Sequence, residues 1–210
     1  MNKELIEKYR NINVECGAWY DFVYEGFIEK MKTVGIWVAQ DTRYYKAPRI
    51  YFSGFCCQGD GAYFEGCVDD WDVFLKAHFK EHDPTRRWLD AVSNAQGETP
   101  EASWVQSGHY YHSHSLSFDI VAPDLDDSPY HIGDDEDGEP MYDLQGSVLR
   151  VLEQQFSFND FEAEVKDIVR GYCDDLYREL EQEYEYLTSD EAVWDTIVCN
   201  ELDKEVEETA

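Results

Sequence analysis

Apolar positions follow two different periods along the chain. Trp19, Phe22, Val23, Phe27 and Met31 recur at three- and four-residue intervals and predict an amphipathic helix over Ala18 to Lys32. A short polar helix over Lys3 to Arg10 precedes it, and Gly35 is placed to end it. Ile36-Trp37-Val38 reads as a short strand or a buried connection. Two aromatic and apolar runs then flank Gln58-Gly59-Asp60-Gly61, whose Asp-Gly suits the positive φ values of a tight turn. They predict a β-hairpin with arms Ile50 to Cys56 and Ala62 to Val68.

Asp69-Asp70 is placed to cap a helix with Trp71, Phe74, Leu75 and His78 or Phe79 on its apolar face. His82-Asp83-Pro84 breaks it, Thr85 to Ala95 makes another turn or two, and Asn94 to Ser103 is loop by composition. From Trp104 to Val121 residues alternate, with Tyr110, His112, His114, Leu116, Phe118 and Ile120 on one face. That predicts one half-buried strand (105–121), paired with the hairpin of 50–68. Residues 122–143 are acidic and hold glycine and proline, which predicts a mobile loop.

The remainder is helical: Leu144 to Phe156, then a long helix from Asp160 to about Leu187 capped by Asn159. A last helix through Val193, Trp194, Ile197 and Val198 opens at the capping box Thr188-x-x-Glu191. The expected fold class is α+β: an antiparallel sheet of at least three strands against several helices, in one domain over 1–200 with an acidic tail at 201–210.

Composition changes this picture through charge. Of the 210 residues, 46 are acidic and 17 basic, a formal net charge of −29. Such a field repels nucleic acid and anionic membrane and attracts basic proteins. A solvated, salt-tolerant surface is the plainer reading. The hydrophobic share of 43% is enough for a core, so the charge is carried by a folded chain. No apolar run is long enough to span a bilayer, the N-terminal residues do not read as a signal peptide, and six cysteines without C-x-x-C spacing suit reduced thiols in a cytosolic setting. Cys56 and Cys57, neighbours on a strand, would face opposite sides.

Four constellations bear on chemistry. His112 and His114 on one strand face, with Glu65 or Cys67 from the hairpin, have a metal-ligating residue set, and His109 lies close in sequence; buried imidazoles are the structural alternative. The glycine-rich turn lacks the lysine that a phosphate site needs. Cys56, Cys57 or Ser53 beside a histidine-bearing strand permits a nucleophile, although cysteine in such a strand more often packs. The fourth is the acidic surface. One patch is Asp134, Asp135, Glu136, Asp137 and Glu139, with Asp124, Asp126 and Asp127 nearby. A second is Asp174, Asp175, Glu179, Glu181, Glu183 and Glu185, with Tyr177 and Tyr184 as interface anchors. Carboxylates so arranged imitate the charge of a nucleic-acid backbone. No catalytic residue, metal or cofactor is assigned.

Phe52-Ser53-Gly54-Phe55, Gln58-Gly59-Asp60-Gly61-Ala62 and Phe64-Glu65-Gly66 resemble a signature of small phage and prophage proteins often labelled "antitoxin of a toxin–antitoxin stability system". Gly108-His109-Tyr110-Tyr111-His112 and Glu183-Tyr184-Glu185-Tyr186-Leu187-Thr188-Ser189-Asp190-Glu191-Ala192-Val193 fit the same group in order, over roughly Ala18 to Glu201. The chain departs from it at Cys56-Cys57, in its longer acidic segment and in its acidic tail. The resemblance implies a phage product acting in a bacterial cytoplasm, and it transfers no catalytic residue. Charge and resemblance together lead to an expectation: a non-enzymatic inhibitor that blocks the basic nucleic-acid-binding surface of a host protein such as a nuclease or CRISPR effector. The alternatives are an antitoxin or regulator binding one toxin, and a metal-dependent or Cys/His enzyme. A homodimer is left open.

Overall fold

The computed structural model describes residues 1–15, 17–41 and 47–204. Among these are helices α1 Lys3–Lys8, α2 Asp21–Thr33, α3 Trp71–His78, α4 Pro84–Gln96, α5 Leu144–Glu153, α6 Phe158–Leu187 and α7 Asp190–Cys199. The strands are β1 Ile36–Val38, β2 Ile50–Phe52, β3 Ala62–Phe64, β4 Gly66–Val68, β5 Glu101–Gln106, β6 Leu116–Val121, β7 His131–Asp134 and β8 Pro140–Tyr142. An antiparallel sheet in the order β1-β4-β5-β6 is joined by two ribbons, β2–β3 and β7–β8, giving the α+β class expected. No helix of the described residues is long and apolar enough to cross a membrane.

Three strand expectations need correction. The central hairpin is real, pairing Ile50 with Phe64 and Phe52 with Ala62, but its arms are shorter than expected. Pairing stops at Phe52 because Ser53 closes on Gly61: Ser53 N donates to Gly61 O at 3.0 Å, and Gly61 N donates to Ser53 Oγ at 3.0 Å. Past Phe64 the second arm changes sheets at Glu65, and β4 pairs with β1 and β5.

The alternating run at 104–121 is two strands. β5 and β6 fold back on each other from Glu101↔Val121 to Gln106↔Leu116, so Asn94 to Ser103 is loop only between Gly97 and Pro100. Ser107 N donates to Ser115 O, and 113–115 form a 3-10 turn in which His112 Nδ1 accepts from His114 N. Alternation is genuine at both ends of the run, but the polar Ser-Gly and Ser-His stretch between them offers a sheet nothing apolar to bury. In the acidic segment, β7 and β8 make a ribbon within what reads as loop.

Helices follow their periodicity closely. Asp70 caps α3 by accepting from Val73 N, and Gly35 follows α2 with a φ of 76°. Ser157 and Ser189, rather than Asn159 and Thr188, cap α6 and α7. Phe22, at 80% exposure, leaves the face assigned to it. Phe161, Val165, Val169, Cys173, Leu176 and Leu180 form a fully buried spine along α6. It packs in one core with Phe27, Phe64, Phe74 and Trp104, where Phe64 meets Phe27 at 5.0 Å and Trp104 edge-on at 5.5 Å between ring centres. Each such aliphatic or aromatic burial contributes about 1.5–3 kcal/mol. Leu5, Ile6, Val193 and Ile197 make a second, smaller cluster that joins α1 to α7.

Candidate functional site

Residues 53–61, expected as strand ends and a turn, form a loop closed by a carboxylate. Asp60 Oδ2 accepts from Cys57 N at 2.7 Å and from Cys56 N at 2.8 Å, and these two bonds hold the Asp60 carboxyl below the usual range. Asp60 is required as an acceptor here, a role that the hairpin reading gave to glycine conformation. Cys56 and Cys57 therefore sit in a turn, both exposed, with their sulfurs 3.7 Å apart and not on opposite sides of a strand. Neither packs in the core. A hydrogen bond to Cys56 pushes the Cys57 thiol up, the reverse of what an activated nucleophile needs.

The loop is seated on α6. Phe55 lies 5.5 Å from the Tyr177 ring and 5.1 Å from Tyr184, and the Tyr177 hydroxyl donates to Gly54 O at 3.3 Å. Trp19 covers the same aromatic group. On its other side the loop meets 107–115 at Gly61, where a Cβ would lie 2.8 Å from Tyr111 O and 3.1 Å from the His112 ring. Only glycine permits that approach. A cleft of about 170 Å³ results, bordered by Asp60, His112, Ser113, Asp174, Tyr177 and Arg178. The Gln-Gly-Asp-Gly stretch, the Gly-His-Tyr stretch and the middle of α6 thus converge, although nothing in their spacing reveals it.

The histidine reading is corrected. His112 and His114 stack with ring centres 5.0 Å apart, and they do not converge with Glu65 or Cys67. Both Glu65 oxygens are engaged elsewhere, Oε2 with Arg49 at 2.7 Å and Oε1 by Gln106 N at 3.1 Å. Among the described residues, Cys56, Cys57 and Asp60 are the one group of three whose donor atoms fit around an ion, all within 4.8 Å of one another.

The expected acidic contact residues divide into two kinds. Several are used internally. Asp175 and Glu179 pair with Lys30 of α2 at 3.6 and 3.3 Å, Asp174 accepts from Ser113 Oγ at 3.4 Å, and Asp134 meets His131 at 3.0 Å. Asp135 closes the β7–β8 turn by accepting from Asp137 N and Glu139 N. Tyr177 and Tyr184, expected as interface anchors, hold the 53–61 loop. By contrast, no cation among the described residues pairs with Glu136, Asp137 or Glu139 on the ribbon, or with Glu181, Glu183 or Glu185 on α6. Glu136, Asp137 and Glu139 are exposed.

No curated protein and no solved structure matches the chain. A family model does match, over residues 19–190, a span that takes in the loop cluster, the acidic ribbon and α6. The chain belongs to the family described as a domain of unknown function, DUF8835.

Proposed function

We propose that the protein is a non-enzymatic inhibitor that docks its acidic surface onto the basic nucleic-acid-binding face of a partner protein. The observation that carries this reading is the β7–β8 ribbon, which presents Glu136, Asp137 and Glu139 with no pairing cation among the described residues, on a chain of net charge −29. Long-range attraction of this kind speeds association with basic surfaces and suppresses acidic ones. The resemblance to phage and prophage proteins suggests a host nuclease or CRISPR effector as the partner class.

Imitation of a duplex phosphate by phosphate is not required. Helix α6 holds ten carboxylates and three cations in 30 residues. Over its length of roughly 45 Å that is about one net charge per 6 Å, against roughly 1.7 Å for duplex DNA. The field and the ribbon's projection, rather than a matched spacing, therefore do the recognising. A pull-down from a bacterial lysate with the wild-type chain and with Glu136→Lys, Asp137→Lys and Glu139→Lys combined tests it. The wild type should retain a nucleic-acid-binding protein at low salt, release it in high salt and lose it to competing DNA; retention unchanged by the triple reversal ends the proposal.

A second reading, an antitoxin that holds one toxin by shape, is favoured by the exposed aromatic residues Tyr110 and Tyr111 beside the cleft. Its complex should resist salt, because apolar contact is not screened.

A further inference from the structure

We propose that Cys56, Cys57 and Asp60 form a binding site for a thiophilic divalent cation of the zinc class. The argument begins with what the two cysteines do not do. Cysteine is among the most buried residue types, yet both of these are exposed at a loop tip and contribute nothing to the core. Their position has no packing explanation.

The geometry supplies another. Two thiolates bound to one tetrahedral centre at about 2.3 Å stand about 3.8 Å from each other. The Cys56 and Cys57 sulfurs are 3.7 Å apart already. The Asp60 carboxylate completes a group whose donor atoms all lie within 4.8 Å. Its Oδ2 takes both cysteine amides, which fixes the carboxylate relative to the two side chains. The Cys56 and Cys57 amides act here as outer-shell partners do, orienting the carboxylate from behind.

The loop that carries these donors is rigidly placed. Ser53 and Gly61 close its base, Tyr177 holds Gly54, and Phe55 is set among Trp19, Tyr177 and Tyr184. Two sulfurs and one carboxylate select zinc or cadmium over magnesium or calcium, which take oxygen ligands. Three protein ligands leave the fourth position open to water or to a donor from outside the chain. Binding exchanges the two thiol protons for the cation and involves no change of oxidation state. This inference does not depend on the acidic surface, whose charge is spread elsewhere.

Cadmium titration tests it, using the full chain reduced with a phosphine and followed by the sulfur-to-cadmium absorption band. Cys16→Ser and Cys199→Ser remove two other thiols from the background. One equivalent should bind with the band of two thiolates, and zinc should displace it competitively. Cys56→Ser or Cys57→Ser should abolish the band, while circular dichroism stays unchanged because both residues are exposed. Asp60→Asn should weaken binding by about tenfold or more. A band that survives both serine variants, an absence of stoichiometric binding, or an unaltered affinity in Asp60→Asn would each overturn the assignment.

Discussion

Arg49 places its Nη1 2.7 Å from Glu65 Oε2, at the residue where β3 becomes β4. Around that pair three segments are joined: Glu65 N donates to Arg49 O, Ala39 N donates to Glu65 O, and Gln106 N donates to Glu65 Oε1. Glu65 is buried, whereas Arg49 reaches solvent. Glu65→Ala leaves the Gln106 N–H without its acceptor and lets Arg49 rehydrate. The expected cost is about 1–3 kcal/mol, seen as a lower urea midpoint. Glu65→Gln keeps an acceptor for Gln106 and should cost less than alanine. Equal losses in the two variants would mean that the hydrogen bond to Gln106 carries no weight.

Cys173 differs from the loop cysteines in what surrounds it. Burial in the α6 spine pushes its thiol up to about 12. At neutral pH an alkylating reagent should therefore modify Cys56, Cys57 and Cys199 in the native protein and leave Cys173 untouched until urea is added. Peptide mass mapping reads this directly. Labelling of Cys173 as fast as Cys199 would show that α6 is not seated on β3 as described.

Helices were the more readable half of this chain, because a three- and four-residue period is local. The α6 spine, the Asp70 cap and the stop at Gly35 all follow from neighbours within a turn or two. Sheet membership was less readable. Nothing near Glu65 signals that β3 and β4 belong to different sheets, since that depends on Arg49, Ala39 and Gln106 arriving from elsewhere. The alternation from Tyr110 to His114 was misleading for the same reason: period two is necessary for a strand, but pairing decides whether one forms. The site suffered most. Asp60 and His112 border one cleft only because the loop at 53–61 and the loop at 107–115 are both set beside α6. That Tyr177 and Tyr184 hold the 53–61 loop is equally illegible, because Gly54 and Phe55 lie far from them in the chain.

His78 offers a pH test. Its ring lies 4.7 Å from Phe74, with Nε2 3.2 Å from the Tyr172 hydroxyl, and burial lowers its pKa. The unfolded chain, with a histidine pKa of about 6.5, then takes up a proton before the folded one does. The stabilising contribution of neutral His78 is complete above about pH 6.5 and drains away as pH falls through that value towards the depressed folded pKa. His78→Gln keeps a partner for Tyr172 and removes the titration. Urea midpoints at about pH 7.5 and 5.5 should fall further for the wild type than for the variant. An identical fall in both proteins would place the pH sensitivity elsewhere.

Charge should also be visible in stability alone. Most ion pairs among the described residues join side chains three or four positions apart, and the exposed helical ones, such as Lys76 with Asp72 and Lys32 with Glu29, are worth about 0.3–0.5 kcal/mol each. Against them stands the self-repulsion of a chain at −29. Screening weakens both, and repulsion is the larger. Sodium chloride raised from about 0.02 to 0.5 M should therefore increase the melting temperature. A decrease would show that the pairs outweigh the repulsion.

The α1–α7 cluster should behave as a separate unit. The family match begins after α1 and ends as α7 begins, and Leu5, Ile6, Val193 and Ile197 form their own core outside the larger one. Polar contacts fasten the seam: Arg10 to Asp190 at 2.5 Å, Asn13 Nδ2 to Leu187 O at 2.8 Å and Thr196 Oγ1 to Asn13 Oδ1 at 2.7 Å. Ile197→Ala removes a fully buried side chain from a cluster that small, at a cost of about 2–5 kcal/mol to that cluster. Amide exchange should then accelerate throughout α1 and α7, while the α6 amides from Val165 to Leu180 keep their protection. If α6 loses protection in parallel, the two cores unfold together, and the segments outside the family match are integral to the stability of the rest.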